Sequence, residues 1–75
     1  MSEIKVQKVM LGDINHRLES LRLLYLNQLK DSEEKEVFMI QSNNVIGSEF
    51  YRGRAVAYQE SIELLLKTQK QISNL

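Results

Sequence analysis

The stretch YRGRAVAYQESIELLLKTQKQI, residues 51–72, decides the fold. Taken in steps of three and four it yields Tyr51, Ala55, Tyr58, Ile62, Leu65, Gln69 and Ile72, a spacing that a helix gathers onto one face. Beside this seam runs a second stripe, Gly53, Ala57 and Ser61, followed by Leu64. Small residues at four-residue intervals leave a shallow groove into which another backbone can come close. Gly53 costs about 1 kcal/mol relative to alanine inside a helix. The groove supplies a packing reason for tolerating it. The segment is therefore expected to meet two neighbours, one of them from its own chain.

Working back toward the N-terminus, Leu11, Ile14, Leu18, Leu21 and Tyr25 repeat the three-four pattern and predict a helix over 13–29, with Asp13 after Gly12 as its cap. Residues 3–11, with Ile4, Val6, Val9 and Met10, fit a helix or a short strand. The predicted helix changes character near its end, where Leu23, Leu24, Tyr25, Leu26 and Leu29 surround the axis. A helix that is apolar on all sides is normally covered on all sides. Full burial of a leucine contributes about 1.5–3 kcal/mol, so Leu23, Leu24 and Leu26 point to a contact beyond a single hairpin mate. Lys30-Asp31-Ser32 reads as a polar break, with Asp31 or Ser32 capping the next helix and Asp31 and Glu34 resembling a capping box. So short a link implies antiparallel neighbours.

Residues 36–47 admit two readings. As a helix, Val37, Ile40, Asn44 and Gly47 carry the later seam backwards; as strands, residues 37–40 and 45–46 flank a Ser42-Asn43-Asn44 turn. The acidic start and the continuity of the seam favour helix, with a kink or break between Ser42 and Gly47 and Ser48 capping the last helix over 48–73. The expected fold is thus a single all-α domain spanning 1–75. It is an antiparallel helical hairpin or small three-helix bundle, coiled-coil-like and oligomeric. The alternative is α+β with a β-hairpin at about 36–47.

Size and composition bear on the same point. A chain of 75 residues buries only about 60% of the surface its unfolded form exposes. Small domains are usually stapled by disulfides, a metal or a partner subunit. Cysteine is absent and histidine occurs once, so disulfides and the usual zinc sites are excluded. Oligomerisation is the staple left, a dimer being favoured. Ten basic residues balance ten acidic ones. A neutral chain has no global field to draw it to nucleic acid or an anionic membrane. No apolar run approaches the roughly 20 residues of a membrane span, and no signal peptide is apparent, so a cytoplasmic location is expected by default.

Few residues suggest chemistry. His16 falls opposite the predicted seam with no cysteine or second histidine to join it, and reads as a surface residue. Glu33, Glu34 and Glu36 form an ordinary solvated run at a helix start. The three glycines stand too far apart for a phosphate loop, and no serine has a nucleophile-elbow context. No catalytic, metal or cofactor-binding set is therefore assigned. The cluster Tyr51, Arg52, Arg54 and Tyr58 is the candidate ligand or phosphate contact, because arginine forks bind phosphates and tyrosines stack bases. The neutral charge balance weighs against nucleic acid.

In type the chain is similar to the small accessory proteins of bacterial and phage genomes. The function expected from the sequence is a non-enzymatic interaction or regulatory module. It would self-associate and bind a partner protein through a helix face. Its interface residues would be Leu23, Leu24, Leu26, Gly53, Ala57, Ser61 and Leu64. The alternative is a small ligand- or nucleic-acid-binding accessory protein that uses the Tyr51–Arg54 cluster.

Overall fold

A computed structural model describes the backbone of residues 3–75 and the side chains of residues 8–75. It contains two helices, α1 (Glu3–Gln41) and α2 (Val45–Ser73), packed along each other as an antiparallel hairpin. No strand occurs among the described residues. The hairpin reading holds, whereas the three-helix and β-hairpin alternatives do not. The N-terminal segment is helical from Glu3 onward; the side chains of Ile4 and Val6 lie outside the described residues.

Two expected boundaries are absent. The helix runs through Gly12-Asp13 and through Lys30-Asp31-Ser32 without a break, so α1, at 39 residues, is the longer element and α2 has 29. The polar residues at 30–32 are satisfied inside the helix. Asp31 pairs with Lys35 one turn on, at 3.1 Å, and the Ser32 hydroxyl donates to the Gln28 carbonyl at 2.8 Å. Asp13 likewise pairs with Arg17 at 3.4 Å instead of capping. With no proline and no glycine near residue 31, nothing opposes helix propagation there.

The chain reverses at Ser42-Asn43-Asn44. Asn43 is left-handed, with φ 57°, a conformation that asparagine tolerates better than most residues. Its N–H donates to the Ile40 carbonyl at 3.1 Å, and that of Asn44 to the Met39 carbonyl at 2.8 Å. These two bonds close the end of α1 as a Schellman motif. Asn44 then caps α2: its side-chain oxygen accepts from the Gly47 N–H at 2.8 Å. The cap of α2 is thus Asn44, and Ser48 sits one turn inside, its hydroxyl donating to the Val45 carbonyl at 2.8 Å. A Cβ on Gly47 would lie 2.8 Å from the Met39 sulfur and 3.0 Å from Asn44 Cγ, so the missing side chain lets the two helix ends meet.

The seam of α2 lies where its spacing places it. Ser48, Ala55 and Ile62 are buried, while Tyr51, Tyr58, Leu65, Gln69 and Ile72 are half-buried. On α1 the facing seam runs through Leu11, Asn15, Leu18, Arg22, Tyr25, Leu29, Ser32, Glu36 and Met39, all half-buried or buried and again in steps of three and four, with Glu19, Gln28 and Asp31 half-buried beside it. Leu11, Leu18 and Tyr25 of the expected seam are among them. Ile14 and Leu21 are not, being 44% and 36% exposed, and Asn15 and Arg22 take their places. Midway along, the Tyr25 and Tyr58 rings meet at 5.5 Å between centroids. The result is a rod of 62 × 15 × 12 Å.

Replacing Asn44 with Ala is expected to destabilise the hairpin by about 1 kcal/mol. Asn43→Val should cost about 1–2 kcal/mol, and Asn43→Gly should cost nothing measurable. Urea unfolding followed by circular dichroism reads all three, and an unchanged midpoint for Asn43→Val would show that the left-handed turn carries no conformational demand.

Candidate functional site

Two cross-helix arginine contacts mark the two sides of the rod. Arg54 donates through Nη2 to Gln28 Oε1 at 3.0 Å, with its guanidinium 5.7 Å from the Tyr58 ring centroid. Arg52 donates through Nε to Glu36 Oε1 at 3.2 Å. The two arginines therefore leave α2 in opposite directions, and each is engaged with α1. Tyr51 and Tyr58 are half-buried in the seam, the former with Lys35 Nζ 5.7 Å from its centroid and the Phe50 ring 5.1 Å away. The four candidate ligand contacts do not converge on a common point. They fasten one helix to the other.

The candidate interface residues sort onto the same two sides. On the Arg54–Gln28 side, heptad spacing aligns Leu21 with Gln28, Leu24 one turn before it, Ser61 with Arg54, and Leu64 with Ala57. Leu24 and Leu64 are 52% and 65% exposed, and the Ser61 hydroxyl is turned back onto the Ala57 carbonyl at 2.9 Å. On the Arg52–Glu36 side lie Leu23 and Leu26 of α1 and Val56 and Leu66 of α2. Leu23 is 51% exposed and Leu26 37%. Gly53 faces outward on the back of α2, with nothing within 4 Å of where a Cβ would be. The expected interface residues are thus divided between the two sides of the hairpin, with Gly53 on neither. Sequence spacing does not single out Val56 and Leu66; their one signal is that each sits beside a seam residue.

A polar knot crosses the seam on the far side of the tyrosine pair from the asparagine turn. Glu19 accepts from Arg22 through both carboxylate oxygens, from Nε at 3.0 Å and from Nη2, and also from Gln69 Nε2 at 2.9 Å. The Arg22 hydrogen bonds, then that of Gln69, hold the Glu19 carboxyl well below its ordinary value of 4.5, at about 2. The same contact raises the pKa of Arg22. Asn15, another seam position, has a buried Oδ1 without a hydrogen-bond partner.

The rod also carries two shallow clefts, one at the terminal end beside Leu11, Asn15 and Ile72 and one at the turn beside Ile40, Asn44 and Ser48. The first is lined by a single ionisable side chain, Lys8, and the second by none. His16 is exposed. Among the described residues no three acidic, histidine or cysteine side chains are grouped so as to hold a metal ion, and no helix is long and apolar enough to cross a membrane. No family model matches the chain, and no curated protein or solved structure matches it.

The Glu19 knot gives the fold a pH signature. A carboxylate whose folded pKa is depressed contributes stability that is complete above the unfolded value, 4.5, and fades as pH falls toward the folded value of about 2. The wild-type thermal midpoint is expected to decline across that window, and Glu19→Gln to flatten the decline. Equal slopes for the two proteins would show that Glu19 is not the titrating group.

Proposed function

We propose that the chain is a non-enzymatic protein-interaction or regulatory module that self-associates and binds a partner protein through a helix face. The observation that carries this reading is the mismatch between what the hairpin covers and what it exposes. Ala55 and Ile62 are its only buried apolar residues among those described, while Leu23, Leu24, Phe38, Phe50 and Leu64 are each more than half exposed. The accessible surface is 6010 Å². A compact chain of 8.8 kDa would expose about 4,800 Å². The excess, about 1,200 Å², is the size of a small specific interface. The radius of gyration points the same way, at 17.6 Å against about 11 Å for a globular chain of this length.

The two faces suit two occupants. The side with Leu24, Ala57, Ser61 and Leu64 combines protruding leucines with a shallow groove and serves self-association. The side with Leu23, Leu26, Val56 and Leu66 is left for the partner, in the manner of a helix laid into a groove. Coiled-coil-like packing of hairpins, with the cytoplasm as the site of action, completes the reading.

Sedimentation equilibrium is expected to return a multiple of 8.8 kDa, a dimer first. Ala57→Leu separates interface from fold: Ala57 is exposed, so the hairpin itself accommodates the change, and the variant should keep its helicity and lose mass. Gly53→Leu, on the back of α2 with empty space around it, is the control that should keep both. A wild-type monomer at micromolar concentrations would end the self-association reading.

A further inference from the structure

The seam of α1 repeats every seven residues without drift: Leu11, Leu18, Tyr25, Ser32 and Met39 all turn toward α2. The residue preceding each of these therefore also keeps a constant station on the hairpin. That column is Met10, Arg17, Leu24, Asp31 and Phe38, and it runs along the Arg54–Gln28 side. Its members are available for contact. Met10, Leu24 and Phe38 are 59%, 52% and 62% exposed, and the Arg17 and Asp31 side chains are 79% and 45% exposed.

The column is symmetric about Leu24. Apolar residues stand at its centre and two heptads to either side. A cation stands one heptad before the centre and an anion one heptad after. Reversing the direction of the column exchanges the charges and leaves the apolar positions apolar.

We infer that the occupant of this face is a second copy of the chain, running antiparallel, with a two-fold axis passing at Leu24. This rests on the self-association proposed above and adds its geometry. In that register Arg17 of each copy lies opposite Asp31 of the other, Met10 opposite Phe38, and Leu24 opposite itself. The intrahelical pairs Asp13–Arg17 and Asp31–Lys35 come level with one another in reversed order, so opposite charges share each axial level.

The second helix obeys the same axis. The contacts Tyr25–Tyr58, Gln28–Arg54, Glu36–Arg52 and Glu19–Gln69 place Leu24 across from the 58–64 stretch of α2, whose middle is Ser61. Reversal about the middle of that stretch brings Leu64 of one copy near Ala57 of the other, a bulky side chain beside a small one. A parallel pairing of two α1 helices would instead set Arg17 on Arg17 and Asp31 on Asp31, and like charges placed together disfavour an interface. The product is a four-helix bundle with isologous contacts.

The test is a charge exchange between chains. Arg17→Asp places two aspartates together at both ends of the interface, and Asp31→Arg places two arginines there. Each variant alone is expected to raise the dimer dissociation constant about tenfold or more. An equimolar mixture of the two restores complementary pairs at both ends and should return association close to wild type as a heterodimer. Effects confined within one chain cannot produce that rescue. The chain lacks cysteine, so Leu24→Cys supplies a second readout. It should oxidise to a covalent dimer, and Leu23→Cys, on the opposite face, should not. A wild-type dimer with no rescue on mixing, or with cross-linking at Leu23 in place of Leu24, overturns this register while leaving self-association standing. A wild-type monomer overturns both.

Discussion

Two helices in contact along one line can each shield only one narrow strip. Everything distinctive about this protein stems from that geometric limit. A third helix would have covered the flanks, but the polar residues at 30–32 continue α1 instead of ending it, so no third element exists among the described residues. The flanking leucines are consequently left at the surface, and residues of either polarity can occupy the seam.

The seam uses that freedom unevenly. Near the turn it holds small residues, Ser32, Ser48 and Ala55, all buried. Farther along it holds Tyr25, Tyr58 and Ile62, and beyond them the polar residues Arg22, Gln69 and Asn15 alternate with Leu18, Leu65, Leu11 and Ile72. Each polar group in such a place needs a partner, because an unmet donor or acceptor out of water is costly. The Glu19–Arg22–Gln69 knot satisfies three of these groups at once and ties α1 to α2 across the seam. It fixes register in a way that interchangeable apolar contacts do not.

Much of the architecture is legible in the residues. The Tyr51–Ile72 spacing identifies the inner face of α2 because apolar residues occupy most of its seam and polar ones most of the opposite side. On α1 the same procedure half fails. Ile14 and Leu21 are more hydrophobic than Asn15 and Arg22, so spacing alone selects the flank for the core. Only the presence of α2 shows that the arginine and asparagine lie inside. The Asp31-Ser32 cap misleads for a related reason. Short polar side chains that serve well at a helix start also serve inside a long exposed helix when a lysine one turn on, or a carbonyl one turn back, takes up their polarity. The asparagine pair at 43–44 signals a turn, but whether strands or helices flank such a turn depends on the backbone hydrogen bonds around it. Division of the interface residues between two faces is invisible in the sequence for want of a second helix to define left and right.

The chain doubles back once, and because α1 is ten residues longer than α2 the last turn of α2 lies beside Leu11 and Asn15 while the first turns of α1 run on past it, along a body 62 Å long with the asparagine turn at its other pole. The molecule is polar in the geographic sense: a single helix makes one pole and a pair of helices joined by the turn makes the other. A surface that grips the turn meets two helices, and one that grips the opposite pole meets one.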